Sequence, residues 1–342
     1  MEDPGGFTGI PLIAYEPNLS LLFGGLLLYR FDVGANGDEV AEGEARPRKS
    51  AIQLAAAYTL KNQLLFSLGP KLYLDSETWL ASGGLEAVIF PDRLYRPGQH
   101  SPDTFEIYSQ RLLAASVGLE RRVVGQLRAG AGMRVAHAKV TEVEADGLLA
   151  TDQLPGSDGG LLFAIGPNVA WDDRDVDTAP RSGGRHEVTL AMFPEALGSD
   201  FGFTQTIIRL RQYLSPWLDH VVAAELYAEL TTGDVPFQMM ASLGGSNHMR
   251  GYYGGRYRDR HQAVAQLEYR MPVWWRFGVV GFVGAGNVAD SLSAFDLDDP
   301  KVAGGGGVRF ALSPEQRVNL RADFAVTREG DSNLYIGLLE AF

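Results

Sequence analysis

Arg250, Arg256 and Arg258 crowd into one glycine- and tyrosine-rich run, Leu243-Gly244-Gly245-Ser246-Asn247-His248-Met249-Arg250-Gly251-Tyr252-Tyr253-Gly254-Gly255-Arg256-Tyr257-Arg258. A guanidinium binds a carboxylate through paired hydrogen bonds, and such a bond can fix a long loop whose ordering would otherwise cost conformational entropy. Glu268 is the best-matched carboxylate, because it shares one face of an alternating segment with Gln262, Gln266 and Arg270. Unpaired, the same arginines would be solvated loop charges. Other residues of reactive type lack the frame their chemistry needs. Gly284-Ala285-Gly286-Asn287-Val288-Ala289 has the spacing of a dinucleotide-binding turn, but that turn needs a following helix, and residues 290–300 are acidic and aperiodic. Asp172, Asp173, Asp175 and Asp177 lack the glycine and closing glutamate of a calcium loop and read as solvated turn charges. The histidines show no metal spacing, no serine sits in a nucleophile elbow, and nothing in the sequence gathers Ser109, Ser116, His220, His248 and His261. With no cysteine present, thiol chemistry, disulfides and cysteine-bound zinc are excluded. The expectation is a non-enzyme with no catalytic residue, no metal and no cofactor.

The elements around Arg250 explain what the loop would be fixed to. In residues 316–327, Arg317, Asn319, Arg321 and Asp323 alternate with Val318, Leu320, Ala322, Phe324 and Val326, and residues 333–342 repeat the alternation before ending on Phe342. The same period returns in residues 126–135, 222–229 and 262–270. One such strand would suit a soluble sandwich. Recurrence along the whole chain suits a barrel with apolar side chains facing lipid and polar ones facing the lumen. Turn signals bound about sixteen strands, an even number, among them residues 10–16, 105–118, 123–139, 261–273, 316–327 and 333–342. The fold class expected is therefore all-β: a transmembrane antiparallel β-barrel over residues 9–342 behind a short segment, 1–8.

Bulk properties agree. The 342 residues could form two soluble domains by length alone. A mean hydropathy of -0.07 is too polar for a helical membrane protein, and the apolar run 19–29 is shorter than the ~20 residues of a spanning helix. The net charge of -12 offers no basic stripe to nucleic acid. Residues 1–7 lack a basic start and an apolar core, so a mature or trimmed chain is expected. Forty-one glycines and thirteen tyrosines suit barrel corners and interfacial girdles.

The arginine run, followed at once by Leu267-Glu268-Tyr269-Arg270, resembles the signature of the surface-antigen outer-membrane barrel superfamily, the BamA/TamA-like barrels. Residues 10–25, with Tyr15-Glu16-Pro17 ahead of Gly24-Gly25, are similar to that family too, as is Asp172-Asp173-Arg174-Asp175 with Pro180, Gly183 and Gly184. The barrel of patatin-like outer-membrane proteins is a further likeness. The resemblance implies location in the bacterial cell outer membrane and a long extracellular loop folded into the lumen. Within it, Arg250, Gly251 and Tyr252 form the loop motif and Glu268 is the arginine's partner on the wall. It implies protein or lipid insertion or translocation. The implied partners are outer-membrane lipids and lipopolysaccharide, the outer-membrane assembly machinery, and unidentified periplasmic or client proteins. Two positions depart from the pattern: Gly284 stands where an acidic residue is frequent, and Glu340 where an apolar one is usual. No POTRA or patatin-like domain precedes the first strand, so a barrel-only member is expected.

A gate is expected where the first and last strands meet, because Pro11 interrupts residues 10–16 and Pro17 ends them. Ile10, Pro11, Tyr15, Gly337 and Phe342 mark that lateral seam. A passive pore or structural barrel is the alternative, and an outer-membrane hydrolase a more distant one. Short links at residues 120–122, 215–216, 274–275 and 313–315 are expected on the periplasmic side. Long ones, at 91–104, 140–159, 232–260 and 289–302, are expected outside. Residues 32–48 break that rule, reading either as a disordered periplasmic loop or as a sign of one miscounted strand.

Overall fold

Alternating strands with a greasy face satisfy every backbone group in a bilayer only by closing on themselves. The computed structural model describes residues 6–33 and 48–342 and shows a closed barrel of sixteen antiparallel strands. In chain order these are β1 (Gly6–Glu16), β2 (Ser20–Phe31), β3 (Ser50–Thr59), β4 (Leu64–Leu74), β5 (Trp79–Tyr95), β6 (Phe105–Val124), β7 (Leu127–Val143) and β8 (Gly159–Asp172). There follow β9 (Gly183–Phe193), β10 (Phe203–Leu214), β11 (Val221–Gly233), β14 (His261–Trp274), β15 (Phe277–Ala289), β16 (Lys301–Ser313), β17 (Val318–Thr327) and β18 (Ser332–Leu338). A two-stranded sheet, β12 (Ala241–Leu243) with β13 (Tyr257–Asp259), interrupts the connection from β11 to β14. Neighbours in sequence are neighbours in the barrel, and β1 meets β18 to close it.

The two faces separate by chemistry. Leu113, Val117, Leu226, Leu267 and Phe324 are exposed, whereas Gln262, Glu268, Arg270, Arg309, Arg321 and Asp323 are buried. Exposed apolar side chains around a full circumference would be an aggregation hazard in water; against lipid they are in their proper solvent. β1 starts and β18 ends at one rim, here the terminal rim. All five tryptophans, Trp79, Trp171, Trp217, Trp274 and Trp275, occur at that rim, in turns or at the strand ends beside them. That placement suits an interfacial girdle. The opposite rim carries the connection 234–260.

Several boundaries differ from the expected ones. The link expected at 120–122 lies instead at Gly125 and Gln126: Glu120 still pairs with Gly130 and Arg122 with Arg128, and Gly125 takes the left-handed turn at φ 54°. β1 starts at Gly6, and the link after β10 runs over residues 215–220. Residues 32–49 join β2 to β3 at the terminal rim with the strand count unchanged, so no strand was miscounted. The expectation of disorder falls largely on residues 34–47, which, like 1–5, lie outside the described residues.

The last strand shows the largest departure. Residues 333–342 were expected to run as one strand to Phe342, but β18 ends at Leu338. Leu334, Ile336 and Leu338 share the outward register, so a continued strand would push Glu340 into lipid, where a carboxylate is costly. Leu339 instead adopts φ 66°. That twist turns Glu340 inward to Arg309 at 2.7 Å and Asn319 at 2.7 Å. Phe342 and Ala341 are buried with Tyr213, Val221 and Ala223. Phe342 is therefore not part of the seam.

Candidate functional site

The connection from β11 to β14 is too long for a plain hairpin, and its glycines let it fold tightly on itself. β12 and β13 pair Leu243 with Tyr257 and Ala241 with Asp259. Between them Gly244, at φ 116°, passes so close that a Cβ would lie 2.0 Å from the Tyr253 carbonyl oxygen. Met249, Tyr252 and Tyr257 join Leu243, Tyr227, Val264, Val288 and Ala303 in one buried cluster. Arg250 is thus held at the loop's tip with 2% of its surface exposed.

A buried guanidinium requires charge partners. Arg250 Nη2 donates to Glu268 Oε2 at 2.5 Å and Nη1 to Asp323 Oδ2 at 2.6 Å, while its guanidinium lies 3.6 Å from the Phe282 ring centroid. Glu268 also accepts from Arg270 at 2.7 Å, and Asp323 from Arg309 at 2.5 Å. Arg309 continues to Glu340, and Arg270 Nη2 donates to the Phe342 carbonyl oxygen at 2.8 Å. One ionic network therefore links the loop tip to the end of the chain.

Gly251 and Tyr252 carry the loop to the barrel's closing strands. The Gly251 N–H donates to Tyr335 Oη at 3.0 Å, Asn333 donates to the Gly251 carbonyl at 2.5 Å, and Tyr335 donates to the Tyr252 carbonyl at 3.1 Å. Gly251 sits at φ 116° with Ala303 and Thr327 side chains 3.1 and 3.2 Å from where a Cβ would be. Tyr252 donates to the Val302 carbonyl and to Glu329. Burial pushes the Glu329 carboxyl up, but hydrogen bonds from Tyr252 and Lys301 outweigh it and hold the group below the usual carboxylate range. Three consecutive residues thus touch β14 through β18. On the far side of the seam, Tyr253 donates to Asp92 at 2.7 Å, and Lys61 bridges Tyr253 to the Pro17 and Asn18 carbonyls.

At the seam itself, β1 pairs with β2 at every residue from Gly6 to Glu16, but with β18 only through Tyr15 and Ile336. That register sets Ala14 against Gly337. Pro11 is exposed and Ile10 half-buried.

Asp323 escaped the sequence reading as a partner of Arg250, although it had been placed on the charged face of its strand; nothing in the chain's order says that β17 and the loop tip meet. Gly284, where an acid is frequent in similar barrels, faces Met249: a Cβ there would come 2.9 Å from the sulfur. The turn charges at 172–177 are paired rather than merely solvated. Arg174 binds Asp172 and Asp177, and Asp175 binds Arg317 at 2.5 Å. His220 and His261 lie at opposite ends of β11, and His248 stacks on Tyr227 at 4.1 Å. The dinucleotide-like run 284–289 is interior to β15.

A family model described as the Omp85 superfamily domain matches residues 51–338. No curated protein matches the chain. Among solved structures, BamA from Haemophilus ducreyi lacking POTRA domains 1–3 is similar at 14% identity and TM-score 0.67, over 98% of this chain and 70% of that one. CdiB from Acinetobacter baumannii is similar at 11% and TM-score 0.57, over 98% and 59% of the two chains. CdiB from Escherichia coli is similar at 10% and TM-score 0.62, over 99% and 63%. This chain therefore spans less than two thirds of either CdiB chain. At such identities the likeness is one of fold.

Proposed function

This chain belongs to the Omp85 superfamily, and from that premise we propose that it is a bacterial outer-membrane barrel. In this reading its β1–β18 seam opens to pass protein or lipid between lumen and bilayer. The observation that carries the reading is the single registered pair, Tyr15 with Ile336, at the closure of a barrel whose other neighbouring strands each pair at six positions or more. An edge with unpaired backbone groups is a site for strand addition or parting. Gly9 and Pro11 weaken β1 further, since Gly9 has no side chain to pack and Pro11 no N–H to donate. The loop tip supports the same division: Arg250, Gly251 and Tyr252 rivet β14 to β18 as one body, and the seam lies at the edge of that body. Recognition by the outer-membrane assembly machinery belongs to this proposal, as does contact with lipopolysaccharide.

The test is a crosslink. Tyr15→Cys with Ile336→Cys joins directly opposed residues, whose Cα separation in an antiparallel pair of ~4.5–5.5 Å suits a disulfide. The chain has no cysteine of its own, so the bond is read without background. Cells carrying only the oxidised variant should admit antibiotics that the outer membrane normally excludes, and reduction should restore exclusion. A locked barrel that supports normal exclusion, together with a large steady conductance of the unlocked one in planar bilayers, would make the protein a passive pore.

A further inference from the structure

Barrel strands normally turn apolar residues to lipid and polar ones inward, and β14 and β17 do so, while the inward Phe282 and Val288 of β15 are covered by Arg250 and the loop cluster. Across the seam, β1 and β2 do not. Leu22 is buried opposite Ala14 and Thr59, which sets the inward register. Ile10 and Leu12 on β1, Leu26 and Leu28 on β2, and Ala55 on β3 share it, with polar Thr8 and Gln53 on either side of Leu28. Their outward neighbours are apolar as well: Gly9, Pro11, Gly25 and Leu27 border a hollow of about 310 Å³. Strands apolar on both faces occur where both faces meet apolar material. Yet Ile10, Leu12, Leu26 and Leu28 are half-buried and belong to none of the buried clusters of the described residues.

The terminal-rim end of this wall is cationic. Arg30 pairs in register with Ala51, and Ala51 with Lys71, so both basic residues share the inward face. Among the described residues, the Lys71 ammonium meets the Tyr73 ring at 5.4 Å and no carboxylate. From Leu28 to Leu22 the wall rises roughly 20 Å at ~3.4 Å per residue, the reach of a long acyl chain.

We propose that the inner wall of β1 to β3 is a binding site for an anionic phospholipid, with its acyl chain along Leu12, Leu26 and Leu28 and its phosphate at Lys71. The site deepens the function proposed above by naming its cargo class, and it rests on that reading for entry through the seam.

The full chain in bilayers would be labelled with phosphatidylglycerol carrying a photoactivatable tail, and separately with the phosphatidylcholine analogue, and adducts mapped by mass spectrometry. Outward Phe23 and Leu27 should be labelled by both, which reports an inserted, folded barrel. Inward Leu12, Leu26 and Leu28 should be labelled about fivefold more by the anionic probe, the ratio expected for one partly exposed charge contact of ~1 kcal/mol. Lys71→Gln should bring that ratio towards one. Leu26→Asn should remove inward adducts and leave outward ones. Adducts confined to outward residues, or inward labelling that ignores headgroup charge, would overturn the site. Inward labelling that survives when Tyr15→Cys/Ile336→Cys is oxidised before lipid is added would instead overturn entry through the seam. The two failures are therefore distinguishable.

Discussion

At the scale of single residues, Arg250 matters because two buried carboxylates, Glu268 and Asp323, and the Phe282 ring define its position. Arg250→Ala leaves Glu268 with Arg270 and, at 3.9 Å, Arg309, and Asp323 with Arg309 and, at 3.8 Å, Arg321, so the loss is partial. The expected destabilisation is about 1–3 kcal/mol, read as a lower temperature at which the compact band on a detergent gel converts to the unfolded one. Unchanged conversion would show that the loop tip contributes nothing to the barrel. Asp175 gives the pH dependence. Burial pushes its carboxyl up, but Arg317 and the backbone N–H groups of Arg181 and Ser182 outweigh burial and lower it. A depressed folded pKa contributes stability that is present above the unfolded value of ~3.9 and lost as pH falls through the lower folded one. Protection of the Arg181 and Ser182 amides from hydrogen exchange should therefore fall below about pH 4. In Asp175→Asn it should already be low at neutral pH.

At the scale of elements, the loop and the last strand each depend on one unusual backbone position. Gly251→Ala imposes a side chain at φ 116° and against Ala303 and Thr327, and should release the loop tip to protease while the barrel still inserts. Leu339 is the reverse case: a leucine holds φ 66°, so Leu339→Gly should stabilise the protein by roughly 1 kcal/mol, the penalty of a left-handed non-glycine residue. A fall in stability on that substitution would mean that the Leu339 side chain, not the backbone twist, holds the tail. The alternation that revealed these strands was legible because its period is local. The end of β18 was not, because Glu340 turns inward only once Arg309 is opposite it.

At the scale of the whole molecule, the sixteen-strand closure and the continuous apolar outer belt predict extraction only with detergent and faster migration unboiled than boiled. Folded protein recovered from the soluble fraction without detergent would contradict both. The barrel's asymmetry is the less expected property: tryptophans gather at the terminal rim, ionic side chains line β14, β16 and β17, and the inward face of β1 and β2 is largely apolar from Ile10 to Ala14 and from Leu22 to Leu28. The seam falls between the ionic wall and the apolar one.

The sequence alone determined the class, the approximate strand count and the strands' faces, because a two-residue period and glycine-rich turns are properties of neighbouring residues. It also singled out Arg250 and Glu268 as a candidate pair by type and face. Only the tertiary structure decided that Asp323 shares the same guanidinium, that Met249 fills the space at Gly284, and that Tyr15 alone bridges to Ile336. The inward turn of Phe342 was likewise decided there. Each of these depends on which distant strands closure brings together, and closure follows from the length and tilt of the whole sheet rather than from any local pattern.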